Sequence, residues 1–152
     1  MTHWILIADA SDARIFSIGG RNQPLRLVRE ITNAEGRART QELVTDMPGR
    51  SPSRGAEGTR SGMEPRTTAH DVAAERFVRE LAALLHAHLE HGDYTSLSLV
   101  APPHLLGQLR EAIHKDVAQQ VRSSLSRDLV RVKTADLFPH IESLLEPGIF
   151  AK

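Results

Sequence analysis

Three groups of residues in this chain have types and spacings that could do chemistry. Asp9 and Asp12 are two carboxylates three positions apart, just after an apolar run. Such a pair could hold Mg²⁺ for hydrolysis, but two-metal chemistry takes about three or four converging acids. The apolar stretch Leu97–Ala101 offers none, and Glu75 and Glu80 fall in a helical pattern among polar neighbours. The spacing equally suits a turn in which an Asp side chain binds the backbone just ahead of it. The second group is His86, His88 and His91. His88 and His91 share a helical face at i, i+3, while His86 does not sit squarely with them. Zinc would need a third protein ligand and the chain has no cysteine, so no metal or other cofactor is expected here. Imidazoles also suit a helix C-terminus through its dipole. The third group is Arg50, Arg54, Arg60 and Arg66, which could contact phosphate. Glu57 and Glu64 lie among them, as a solvated linker would also have.

The elements that must position these groups follow from periodicity. Trp4–Ala8 is a short continuous apolar run, as expected of a strand covered on both faces. Asp9–Asp12 reads as a turn, 13–18 as a second strand, Gly19–Pro24 as a loop and Leu25–Ile31 as a third strand, and their close spacing predicts an antiparallel meander. From Met47 to Thr67, Pro, Gly and Ser supply 10 of 21 residues, with no Ile, Leu, Val or aromatic residue. Such a stretch cannot bury a core, which predicts a flexible loop carrying the arginines. Apolar residues then recur at Val72, Phe77, Leu81, Leu84, Leu85 and Leu89, a helix from Thr68 to His91 capped by Thr67 or Thr68 and ended by Gly92. Leu97–Ala101 reads as a buried strand. Pro102-Pro103 opens a helix with the apolar face Leu105, Leu106, Leu109, Ala112 and Ile113. Gln120–Leu125 alternates like an edge strand. A last helix runs to Leu145, capped by Thr134 or Asp136, with Pro139 expected in the tolerant first turn. This order predicts an α/β domain with a mixed sheet, its meander joined to parallel strands by crossover helices.

Composition limits the functions available. At 152 residues the chain suits a single domain spanning 1–152. Lys plus Arg equals Asp plus Glu at 19 each, so any polyanion affinity must be local to the arginine stretch. The absence of cysteine excludes thiol catalysis, thiolate metal sites and disulfides, and fits a reducing compartment. No export signal and no run of the ~18–20 apolar residues that span a bilayer is found, which predicts a cytoplasmic protein without membrane insertion. There is no Gly-x-Ser-x-Gly, no P-loop and no Gly-x-Gly-x-x-Gly, so no recognisable enzyme signature.

Three segments carry a family resemblance: "WILIADASDARIF", the Gly/Arg-rich stretch running into "HDVAAERFVRELAALL", and "YTSLSLVAPPHLLGQLRE". Together they resemble the host attachment protein family, described as protein required for attachment to host cells, over roughly the whole chain. That family is similar in architecture to the central domain of archaeal and eukaryotic peptide-chain release factors and of Pelota-like rescue proteins. The implied fold is ribonuclease H-like, a mixed five-stranded sheet with flanking helices. In ribonuclease H-like nucleases a first-strand carboxylate binds Mg²⁺, which gives the alternative reading of a metal-dependent hydrolase or nuclease using Asp9 and Asp12. The release factors carry Gly-Gly-Gln on the loop before the long helix. The matching stretch here, Arg54–Met63, has neither Gly-Gly nor Gln, so peptidyl-tRNA hydrolysis is not carried over. The resemblance therefore implies a non-catalytic binding module. Its expected partner is RNA, the ribosome or another protein, contacted through Arg50, Arg54, Arg60 and Arg66.

Overall fold

The structure, a computed structural model, describes residues 2–20, 23–33 and 69–145. The expected flexible loop at 47–67, with Arg50, Arg54, Arg60 and Arg66, lies outside the described residues.

Among the described residues ten elements follow one another: β1 (His3–Ala8), β2 (Asp12–Ile18), β3 (Arg26–Thr32), α1 (Ala69–His91), β4 (Ser96–Ala101), α2 (Pro103–Ala112), α3 (Lys115–Ala118), β5 (Val121–Ser126), α4 (Thr134–Ile141) and a 3₁₀ turn (Glu142–Leu144). The strands form a mixed five-stranded sheet in the order β3-β2-β1-β4-β5. β1–β2 and β2–β3 are antiparallel, and β1–β4 and β4–β5 are parallel. The expected meander joined to parallel strands is therefore the architecture found.

The burial of each strand follows from its place in that order. β1 and β4 are central, and all six residues of each are buried. A strand with cover on both faces needs a near-continuous apolar sequence, which "WILIA" supplies. Alternate residues divide between two cores: Trp4, Leu6 and Ala8 with Ile15, Leu97 and Leu99 on one face, Ile5 and Ile7 with Phe16 and Val100 on the other. The first core is closed by Phe77, Leu81 and Leu85 of α1, Leu105, Leu106 and Leu109 of α2 and Val117 of α3. The second is closed by Leu137 and Ile141 of α4 with Leu144 and Leu145. β3 lies at one edge and is largely exposed, Leu27 and Val28 included.

Gly92 ends α1 as expected. Its φ of +86° admits the left-handed turn, and the backbone closes with Gly92 N–H on the Leu89 carbonyl (3.0 Å) and Asp93 N–H on the His88 carbonyl (3.0 Å). Three expectations are corrected. α2 ends at Ala112, which is exposed, and the short α3 follows as a separate element. Neither Thr134 nor Asp136 caps α4; Lys133 is the N-cap and makes no side-chain cap bond. The Thr134 hydroxyl is instead an acceptor for Arg14 (2.9 Å), so tertiary structure takes the group the cap would have used. Pro139 lies in the second turn of α4 rather than the first, and the chain tightens to 3₁₀ three residues later.

Candidate functional site

Asp9 serves the hairpin between β1 and β2. Its Oδ1 accepts the backbone N–H groups of Ser11 (2.8 Å) and Asp12 (2.7 Å), while Asp9 N–H donates to the Asp12 carbonyl (2.9 Å). The short polar side chain thus satisfies amides that a tight turn would orphan, the Asx geometry the spacing allows. Asp12 opens β2 and faces a different neighbourhood, an open cleft of about 430 Å³ lined also by Arg14, Glu30, Thr32, Arg131 and Lys133. Thr32 Oγ1 donates to Asp12 Oδ1 (3.3 Å), and Arg131 lies 3.6 Å from Asp12 Oδ2. The two carboxylates are therefore close in sequence but occupied differently.

Arg14, in the same cleft, pins the sheet to the chain entering α4. Its guanidinium donates to the carbonyls of Val130 and Val132, both at 2.7 Å, and to Thr134, and it lies 5.0 Å from the centre of the Phe16 ring.

The three histidines separate. His88 and His91 both meet the Asp93 carboxylate, His88 Nδ1 at 2.6 Å and His91 Nδ1 at 2.9 Å. Hydrogen bonds from His88 and then His91 hold the Asp93 carboxyl below its ordinary range, and the same contact raises His91. His88 also packs on Trp4, which stacks on Tyr94. The Tyr94 hydroxyl donates to the Leu85 carbonyl (2.7 Å), and burial pushes the phenol up. These contacts anchor the end of α1. His86 points elsewhere, toward the α2–α3 junction.

A buried polar chain escaped sequence reasoning. His3 on β1 is fully buried, with Nδ1 2.7 Å from Ser96 Oγ and Nε2 2.8 Å from Ser98 Oγ. Ser98 Oγ is 2.7 Å from Ser123 Oγ, and Ser123 donates to the Leu144 carbonyl (3.2 Å). Each hydroxyl has one hydrogen to give. With Ser123 committed to Leu144, Ser98 must donate to Ser123, and so must accept from His3 Nε2–H. His3 is then the Nε2–H tautomer, and Ser96 donates to Nδ1. A protonated ring would have hydrogen on both nitrogens and break this order. Burial first, and the charge of Arg122 second, lower the His3 pKa to about 4. The sequence signal was present as serines alternating with leucines in β4.

Beside the outer strand β5, a pocket of about 500 Å³ is lined by Arg110 of α2 and by Arg122, Ser123 and Ser124 of β5, with apolar Leu99 and Val121. Arg110 donates to the Ser124 hydroxyl, which keeps its own hydrogen to give. Among the described lining residues there is no carboxylate. Two guanidiniums and a hydroxyl donor around an open hollow form a set suited to an anion with several acceptor oxygens. The register of β4 on β5 and the packing of α2 bring these residues together from two elements, so no local motif announces them.

From residue 4 to residue 141 the sequence matches the family described as protein required for attachment to host cells. The chain belongs to that family. Curated proteins give this host-attachment-family member no match. Among the solved structures that resemble it are an archaeal translation termination factor, aRF1 (11% identity, TM-score 0.48), and an archaeal protein (12% identity, TM-score 0.44). Each alignment covers 94% of this chain but 38% of the other. The host-attachment-family chain thus spans well under half the length of these neighbours. No helix among its described residues is long and apolar enough to cross a membrane.

Proposed function

We propose that this host-attachment-family protein is a cytoplasmic, non-catalytic binding module that holds phosphate groups of RNA, free or in the ribosome, and that its link to host attachment is indirect. In this reading it is one ribonuclease H-like domain. The observation that carries the proposal is the β5-edge pocket, which Arg110, Arg122 and Ser124 line with no carboxylate among the described lining residues. Phosphate recognition by guanidinium is bidentate and strong, and a concave edge gives a backbone somewhere to lie. The arginines at 50, 54, 60 and 66 would extend the contact. The contrast with the Asp12 cleft supports this choice: there Asp12 and Glu30 offset Arg14, Arg131 and Lys133, and Asp9 is engaged by the turn.

The test is fluorescence anisotropy with a labelled single-stranded RNA and a duplex, titrated across salt concentrations. Removing one phosphate-binding cation lowers the log–log salt slope by about 0.7 on single strands and about 0.9 on duplex. Arg110→Ser with Arg122→Ser should weaken binding and cut the slope by about 1.4 on single strands. Changing Arg50, Arg54, Arg60 and Arg66 to Ser should remove a further slope of about 3. Parent protein that fails to bind RNA at low salt, or an unchanged slope in the folded pocket variant, would refute the proposal.

A further inference from the structure

Away from that pocket, α1 and the α2–α3 junction bring three ligand-type side chains together, His86, His114 and Asp116, with Glu90 beside His86. His86 and Glu90 stand one turn apart on α1, with His86 Nε2 3.5 Å from Glu90 Oε2. His114, the N-cap of α3, has Nδ1 3.6 Å from Asp116 Oδ2. The imidazoles of His86 and His114 stack at 3.9 Å with planes 8° apart. Donor atoms of His86, His114 and Asp116 all lie within 4.8 Å of one another. His86 Nε2 is itself buried and has no hydrogen-bond partner. A buried nitrogen left without a hydrogen-bond partner is unusual and leaves a ring nitrogen available to a ligand.

We propose that His86, Glu90, His114 and Asp116 form a binding site for a zinc-type divalent ion that clasps α1 to α3. Two neutral imidazoles with two carboxylates suit zinc and its first-row neighbours. With metal–ligand bonds of about 2.0–2.2 Å, donors on a tetrahedral ion lie about 3.4 Å apart. The His86–Glu90 and His114–Asp116 separations are close to that length and longer than a good hydrogen bond. The donors are therefore spaced for an ion between them rather than spent on each other.

Two adjustments complete the site. Lone pairs of parallel imidazoles run side by side, so the His114 ring must turn out of the stack; it is partly exposed and has room to do so. Its Nδ1 now accepts the Asp116 backbone N–H (3.0 Å), and the ion takes over that lone pair. Sequence spacing hid this site because His114 and Asp116 come from a different element than His86.

Zinc titration of the metal-stripped full chain by calorimetry, with thermal melts alongside, tests the clasp. We expect one ion per chain and a melting temperature that rises with zinc, because an ion bound only by the folded state stabilises it. His114→Ala and Asp116→Asn alter exposed side chains and should weaken binding by more than about a hundredfold, beyond what supporting residues typically contribute. His91→Ala removes an imidazole from the separate Asp93 cluster and should leave affinity unchanged. Cobalt should give the intense absorption of four-coordinate geometry in the parent. The proposal is overturned by a parent that takes up no zinc, by His114→Ala binding like the parent, by weakened binding in His91→Ala instead, or by a weak six-coordinate cobalt spectrum.

Discussion

Replacing His3 with Asn tests the buried polar chain most sharply. Asn Oδ1 can stand in for Nδ1 and accept from Ser96, but nothing then reaches Ser98, and a small void is left. That loss is independent of pH and should cost about 2 kcal/mol near pH 7.5. The parent has a further, pH-dependent term. His3 is held near pKa 4 when folded against 6.5 when exposed. Between those values the unfolded chain takes up a proton that the folded chain refuses, so stability falls as pH drops. The full difference corresponds to about 3 kcal/mol, lost progressively from about pH 6.5 to about pH 4. The Asn variant lacks this term, while the other titrating groups largely cancel in the comparison. Urea unfolding of both proteins from about pH 7.5 to about pH 4.5 should show the parent's advantage shrinking by roughly 2–3 kcal/mol, enough to cancel it. A parent–variant difference constant to about 0.5 kcal/mol across that range would refute the assignment of a neutral, hydrogen-bonded His3.

Three further outcomes follow from the geometry. Asp9→Ala should destabilise by about 1–2 kcal/mol because two turn amides lose their acceptor, whereas Asp9→Asn, which keeps an Oδ1, should cost less; equal costs in urea melts would contradict the turn role. Arg14→Met should cost about 2 kcal/mol by stranding the Val130 and Val132 carbonyls, and a change under about 0.5 kcal/mol would show that the pin is idle. In Asp93→Asn, NMR titration should find the His91 pKa falling back toward its ordinary value, and an unmoved pKa would mean that Asp93 does not set it.

The sequence alone determined the order of the strands and longer helices, the mixed sheet and the central place of β1 and β4, because burial on both faces demands the continuous apolar runs that "WILIA" and "LSLVA" present. It also determined the end of α1, since few residues but glycine tolerate the left-handed turn at Gly92, and the Asx turn at Asp9, since both are local backbone chemistry. The family was legible as well, from segments long enough to be specific. Tertiary structure decided the rest. The partner of His3 is 93 residues away, and Arg14 reaches across more than 115 residues to take the Thr134 hydroxyl from its expected cap. Arg110 meets Ser124 and His86 meets His114 only because α2 and α3 pack where they do. Polar side chains of this kind have no periodicity to betray them. Their positions are set by strand register and helix packing, and only the folded chain puts their atoms within a hydrogen bond or a ring contact of one another.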